Sequence, residues 1–436
     1  MKTQRLKKIN STLSNAIPGF KLTMVSGYFL VLVNMLSQFL LAPFYLNHLG
    51  EIQFGILMMI LNVLNLGALG VGWVSGGLVR EFGKSWASND FESFRNASAC
   101  GKYLFTGYAL CVSLVGVSCY SWLIQDNKDS DILLFAVLYA GAYFVFNYEA
   151  LPERIAFKGA DRQATGNFIE SARVMVFMLV TILTLSYRPE ISTVIIALLS
   201  GLLLQRSITT FYWQKSVGGI GWKRLDTDVL AVFKRLTNTQ GRQYLTYGAL
   251  GLLLQSDVLL IGFLAGPELA AQFVLLWKIP EAIGLVLWRI PSSLEARVIQ
   301  LQSLERIDEL VTIFYSGRRY FLLVVSATCL LYGVFGEWLA LRWVGEFARA
   351  ESWMYITSAV ALFFTTMARW PISFGYAMGG LSNLVKITAI ELMAKAVLII
   401  LFIEYFGIVT PIIATILVHC LYVQKSYQTK VFKGPL

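Results

Sequence analysis

Charge is what this chain has least of. Only 14% of its 436 residues are Asp, Glu, Lys or Arg, where a soluble protein carries about a quarter. Histidine is scarcer still: His48 and His419 are the two in the chain. With no Cys/His cluster at ligand spacing, a catalytic zinc, which takes about three protein ligands, is not expected. Neither a cofactor nor a catalytic constellation is expected. The five cysteines, Cys100, Cys111, Cys119, Cys329 and Cys420, sit in or beside apolar stretches, where small buried thiols are the rule and no disulfide is expected. No long polar loop offers room for an external catalytic domain. The net charge of +10 does not imply a nucleic-acid partner, because the basic residues are dispersed through short loops.

What remains is apolar: 56% of the residues are hydrophobic. About twenty apolar residues cross the hydrocarbon as a helix, and roughly twelve such stretches follow one another. They predict an all-α polytopic membrane protein, with spans near 22–46, 53–79, 98–124, 132–156, 166–187 and 191–213, then 242–264, 269–295, 320–340, 352–378, 384–406 and 409–424. The second part of 53–79 is rich in glycine and reads as irregular. About 25 apolar residues follow the basic N-terminus without a small-residue cleavage site, so an uncleaved first span is expected.

The second six spans echo the first about 220 residues later: His-Leu-Gly-Glu at 48–51 by Leu-Ala-Gly-Pro at 264–267, Arg80 by Arg297, Pro152 by Pro371, Gly159 by Gly379. An even number of spans per repeat makes the repeats parallel, about an axis along the membrane normal, as transporters are built. The expected organisation is a basic N-terminus at 1–21, an N-lobe at 22–213, a basic linker at 214–241, a C-lobe at 242–424 and a tail at 425–436, the lobes forming a V-shaped bundle. The N-terminus, the even-numbered loops with their adjoining helix ends, and the C-terminus hold 27 Lys and Arg; the odd-numbered loops hold four, Lys128, Arg188, Arg342 and Arg349. The positive-inside rule then places both termini in the cytoplasm. The linker, with Trp222 and five basic residues, reads either as an amphipathic helix on anionic lipid or as a solvated connection.

Residues 39–95 carry Leu-Asn-His-Leu-Gly-Glu-Ile-Gln-Phe-Gly, a Gly-rich span, Gly-Gly-Leu-Val-Arg-Glu-Phe and a polar turn before Asp-Phe-Glu-Ser-Phe; Gln-Ser-Asp-Val-Leu-Leu-Ile-Gly-Phe-Leu-Ala-Gly-Pro-Glu at 255–268 opens the second half in the same manner. This order resembles the Wzx-type O-antigen flippases of polysaccharide biosynthesis, in the multidrug/oligosaccharidyl-lipid/polysaccharide (MOP) superfamily. One departure is Asn62 and Asn65 where an Asp is expected in the second span, so no acidic role is carried over there. The resemblance implies an undecaprenyl-pyrophosphate-linked oligosaccharide carried from the cytoplasmic to the periplasmic leaflet of a bacterial inner membrane, by alternating access coupled to a proton or sodium gradient. A polysaccharide polymerase and chain-length regulator are the implied partners, besides membrane lipid. A multidrug extruder of the same superfamily is the alternative, and a membrane-embedded polymerase or ligase a more distant one.

Ionisable groups at membrane depth cost about 2.5–3.5 kcal/mol each on insertion scales, so each needs a partner or a wet cavity. Lys278 and Arg289 lie within 20° on one helical face, about 16 Å apart along the axis, with Glu281 on the same side and Trp277 and Trp288 flanking. They read as cavity cations for a diphosphate or acidic sugar; an internal Lys278–Glu281 pair with Arg289 reaching the headgroups is the structural alternative. Glu149 and Arg369 hold equivalent places before Pro152 and Pro371. They read as a gate-like pair, or as a proton acceptor and a phosphate ligand, against a static buried pair. Asp257 is a further candidate for ion coupling, with Glu281. Glu391 and Lys395, four apart, are expected to satisfy each other. Asn34, Gln38, Asn62, Asn65, Tyr143 and Asn147 are candidate sugar contacts, and equally candidate interhelical hydrogen-bond partners.

Overall fold

The computed structural model describes residues 18–67, 72–123, 130–224, 226–239, 256–294, 297–298, 301–302, 305–348, 350–378 and 381–426. The expected basic N-terminus, the first part of the seventh span and the end of the tail lie largely outside them. Among the described residues the fold is all helical, and each of the twelve predicted spans coincides in whole or part with a helix. In chain order these are α1 (Pro18–Gly67), α2 (Gly72–Ala87), α3 (Phe91–Leu123), α4 (Ser130–Glu149), α5 (Leu151–Gly159), α6 (Gln163–Tyr187), α7 (Ile191–Val217) and α8 (Thr227–Thr239). They continue as α9 (Ser256–Ala265), then α10 (Pro267–Leu287), α11 (Arg289–Ser293), α12 (Ile307–Val344), α13 (Ser352–Ala377), α14 (Leu381–Phe406) and α15 (Thr410–Val418), the last extended by a π-helical turn, His419–Val423.

The helices turn a soluble protein's pattern inside out. On α12, Leu323, Leu330 and Val334 are each at least two-thirds exposed, the arrangement hydrocarbon solvent permits, while Lys102, Glu149, Glu153, Glu391, Lys395 and His419 are buried. This is a multi-pass membrane protein.

Packing divides the chain into two units: the described parts of Met1–His48 and Gly70–Gly241, and those of Leu49–Leu69 and Arg242–Leu436. The division differs from the expected 22–213 and 242–424 lobes at two places. The second half of α1 packs with the second unit, and the linker with the first. Gly50 marks the first crossing: its φ of 75° and ψ of 172° interrupt α1 in a region almost reserved for glycine. Gly55 then lies so near Pro267 that a Cβ there would stand 1.8 Å from the Pro267 carbonyl oxygen.

The linker's α8 buries Val229, Val232 and Leu236 against α2 and α3. Asp226 caps it, accepting from the Val229 amide at 2.9 Å. Trp222, read in the linker as either part of an amphipathic helix on lipid or part of a solvated connection, precedes α8, packs edge-on to Tyr103 and donates its indole N–H to Glu149 Oε1 at 3.1 Å.

The first unit's core is aromatic, with Phe82, Phe94, Phe157 and Trp213 essentially inaccessible and in ring contact in sequence. The second unit repeats the theme around Trp370, stacked on Phe321 and Phe374. Each central indole donates to a backbone carbonyl of another helix at 3.1 Å, Trp213 to Glu153 and Trp370 to Phe314.

Candidate functional site

The first unit holds two polar networks where α4, α5, α6 and α7 meet. Helix α4 ends at Glu149 and α5 restarts at Leu151 with Pro152 in its first turn, where the missing amide costs no hydrogen bond. Glu149 and Glu153 therefore flank the break on one side. Lys102, from α3, sits between them, its Nζ 2.7 Å from Glu149 Oε1 and 2.6 Å from Glu153 Oε1. Arg206 on α7 completes the set, 2.7 Å from Glu149 Oε2. Two cations face two carboxylates, so this network is neutral. Glu149 thus has two charged partners within its own unit.

The second network is not neutral. Arg173 on α6 pairs with Glu170, to which Gln205 also donates, and Arg154 on α5 stands 4.0 Å from the same carboxylate. Arg154 Nη2 donates to the Asn147 carbonyl and Oδ1 at 2.7 and 2.9 Å; Arg173 Nη1 donates to the Tyr143 hydroxyl at 3.1 Å. Two guanidiniums thus share one carboxylate. Their Nε atoms have no hydrogen-bond partner among the described residues, and roughly a fifth of each of the three side chains is exposed. Tyr143 and Asn147, candidates both for sugar contact and for interhelical hydrogen bonding, accept hydrogen bonds from these arginines. Sequence reasoning missed Lys102, Arg154 and Arg173, which were counted with the cytoplasmic helix ends; the signal against that was Arg173's place seven residues inside the predicted 166–187 span.

In the second unit, Lys278 and Glu281 form the internal pair at 2.9 Å. Helix α10 ends at Leu287 and α11 begins at Arg289, so the single face drawn through Lys278 and Arg289 is interrupted; Arg289 is exposed and Lys278 half-buried. Arg369 on α13 lies with its guanidinium carbon 3.9 Å above the Trp288 ring, within cation–π range. Glu391 and Lys395, expected to satisfy each other, have partners on other helices: Lys395 Nζ is 2.7 Å from Asp257 Oδ2 and His419 Nε2 is 2.9 Å from Glu391 Oε1. Asn34 and Asn62 donate to their own helix, to the carbonyls of Leu30 and Met58 at 2.9 and 2.8 Å, while Gln38 and Asn65 are exposed.

No family model matches the chain, and no curated protein matches it. Solved structures do share its fold. One is described as the inward-facing conformation of a multidrug resistance MATE family transporter of the MOP superfamily: TM-score 0.70, 11% identity, covering 92% of this chain and 94% of that one. An outward-facing conformation of such a transporter gives 0.63, at 13% identity, with 95% and 96% covered. A MOP superfamily transporter from Pyrococcus furiosus, described as having a reversed binding-pocket polarity that suggests a different function, gives 0.56 at 12% identity, with 94% and 95% covered. At these identities the likeness is one of fold.

Proposed function

We propose that this chain is an alternating-access transporter whose cargo is an anionic lipid-linked oligosaccharide, with the pyrophosphate held by guanidinium groups and the polyprenyl tail left in lipid. The observation that carries this reading is the Arg154–Glu170–Arg173 network, where two partly accessible guanidiniums share one carboxylate. Maintaining an unneutralised cation at membrane depth is costly, and a diphosphate that ligates both arginines, bidentately where geometry allows, removes that cost. Arg369, over the Trp288 ring, offers a second cationic surface, backed by an aromatic ring of the kind sugars stack on. A transporter of this fold has been described by the polarity of its pocket, which makes charge the feature to read for cargo.

The test is export of surface polysaccharide in a strain deleted for this gene. Arg154→Gln, Arg173→Gln and Arg369→Gln should each lower export at least tenfold at unchanged membrane abundance, with Lys278→Gln and Arg289→Gln closer to wild type. Normal export by all three of the first set would overturn the reading. Multidrug extrusion is the second reading, supported by the multidrug transporters that share the fold; it predicts raised sensitivity to cationic drugs on deletion, with polysaccharide unaffected.

A further inference from the structure

The linker segment 222–236 touches the two arms of the α2–α3 hairpin at matching heights. On α2, a Cβ at Gly77 would stand 2.5 Å from Leu236 Cδ2, and Arg235 pairs with Glu81 at 3.0 Å. On α3, Lys223 donates to Asn96 at 2.7 Å and Trp222 packs on the Tyr103 ring. Counted from Asn89 in the turn between the arms, at 1.5 Å per residue, the α2 contacts stand about 12 and 18 Å away and the α3 contacts about 10 and 21 Å. The segment therefore runs across the hairpin and not along it. Those heights are also where the hydropathy pattern puts the edge of the hydrocarbon. The predicted second span ends at 79, between Gly77 and Glu81, and the third begins at 98, between Asn96 and Tyr103. A helix lying across two spanning helices at that level lies in the plane of the membrane surface.

Around α8 the side chains sort into three sectors. Val229, Val232 and Leu236 are buried on α2 and α3. Phe233 and Leu230 carry the apolar surface further round, to an arc of about 160°, and both are exposed. Thr227, Asp228, Ala231, Lys234 and Arg235 occupy the opposite arc. Packing on the hairpin accounts for the first sector and water for the third; an exposed Phe and Leu between them fit the boundary of headgroups and acyl chains. Charge and aromatic placement agree. Segment 214–239 holds five basic residues against two acidic ones, Asp226 and Asp228. Lys223 is engaged by Asn96, Glu92 and Asp226, and Arg235 by Glu81. Lys215 and Arg224 are exposed, as is Arg95 on α3, whose Nη1 would lie 3.5 Å from a Cβ at Gly218. Trp222, also exposed, is of the residue type that gathers at membrane interfaces.

We propose that α8, with the segment leading into it, is an in-plane docking surface for anionic phospholipid. Phe233 and Leu230 enter the headgroup–acyl boundary, Lys215, Arg224 and Arg95 attract the phosphodiester groups, and the Ala231 side faces water. The linker is then neither a helix with its whole apolar face in lipid nor a solvated connection. Its most apolar stripe is spent on the hairpin, and the adjoining stripe is left for the bilayer. Because Trp222 donates to Glu149, the same segment that rests on lipid is also bonded to the buried Lys102–Glu149–Glu153–Arg206 network. Neither cargo nor transport enters this inference, so it stands or falls apart from the polysaccharide reading.

The test uses the full chain in lipid nanodiscs containing phosphatidylglycerol, with the native cysteines replaced by serine and a nitroxide attached at Leu230→Cys, Phe233→Cys or Ala231→Cys. Power saturation should show the first two colliding more with oxygen than with a water-soluble nickel chelate, and Ala231→Cys the reverse. Collision dominated by the nickel chelate at 230 and 233 would overturn the docking surface. Headgroup preference is read separately, with a fluorophore at Leu230→Cys. Doxyl-labelled phosphatidylglycerol should quench it at least twofold more than doxyl-labelled phosphatidylcholine, and combining Arg95→Gln, Lys215→Gln and Arg224→Gln should bring the two lipids closer together. Equal quenching before the substitutions, or an undiminished preference after them, would overturn the anionic assignment. Every substituted position apart from the native cysteines is exposed, and a circular dichroism spectrum equal to that of the unsubstituted chain confirms the fold before labelling.

Discussion

Lys102 is 2% exposed and bridges two carboxylates on either side of a helix break. Removing it leaves Glu149 and Glu153 facing each other with Arg206 as their one cationic partner among the described residues. Breaking such a buried pair by deleting one partner costs about 3–5 kcal/mol, so Lys102→Met should lower the unfolding midpoint in detergent more than any exposed substitution. Arg188→Ala is the control: its pair with Glu190 leaves 73% of the arginine side chain exposed, and such pairs contribute about 0–1 kcal/mol. Equal midpoints for the two variants would refute the network. A second residue-scale effect depends on pH. The Val229 amide that Asp226 accepts, with Lys223 nearby, holds the Asp226 carboxyl below the ordinary aspartate range. A carboxylate with a depressed value stabilises the fold at any pH above its unfolded value, and that contribution is lost as pH falls through the folded one. Amide protection in the first turn of α8, relative to intrinsic exchange, should therefore be high at neutral pH and fall on acidification below about pH 4. In Asp226→Ala it should be low throughout.

At the level of elements, helix breaks and close approaches do more than propensity to set partners. Gly50 adopts a backbone region that costs other residues about 1–3 kcal/mol, and Gly55 has the Pro267 carbonyl where its side chain would be. Gly55→Ala must therefore push the second half of α1 off α10, and should be destabilising, whereas a Cβ at Gly107 meets nothing within 4 Å and Gly107→Ala should be neutral or slightly stabilising by propensity. Thermal unfolding of the two variants side by side checks the contrast. This scale also shows where reading the sequence runs out. The α4–α5 break falls inside the predicted 132–156 span, beside Pro152, where a proline's missing amide is a local fact. Partners distant in sequence were not legible: Lys102 is 47 residues from Glu149 and Lys395 is 138 from Asp257. A four-residue spacing made Glu391 and Lys395 look self-sufficient, when each has a partner on another helix. Local spacing shows which groups share a face and is silent on what that face meets.

For the whole molecule, the twelve spans were legible because hydrocarbon imposes a length and a composition on every crossing. The unit boundary was not: duplication by sequence divides the chain at the linker, while packing sends Leu49–Leu69 to the second unit and keeps α8 with the first. Orientation is an expectation of the charge asymmetry and can be measured directly. The turn at Ser88–Asp90, with Asn89 at positive φ, joins α2 to α3 next to basic residues and should face the cytoplasm. Tyr187, 90% exposed at the end of α6, should face the other side. In a background with the native cysteines replaced by serine, Tyr187→Cys should react with a membrane-impermeant maleimide on intact cells, and Asn89→Cys only after permeabilisation. Six helical crossings per repeat require these two sites to lie on opposite sides, whichever way the protein inserts. Labelling of both from outside would break the twelve-span topology, and the reversed pattern would break the positive-inside assignment while leaving the fold intact.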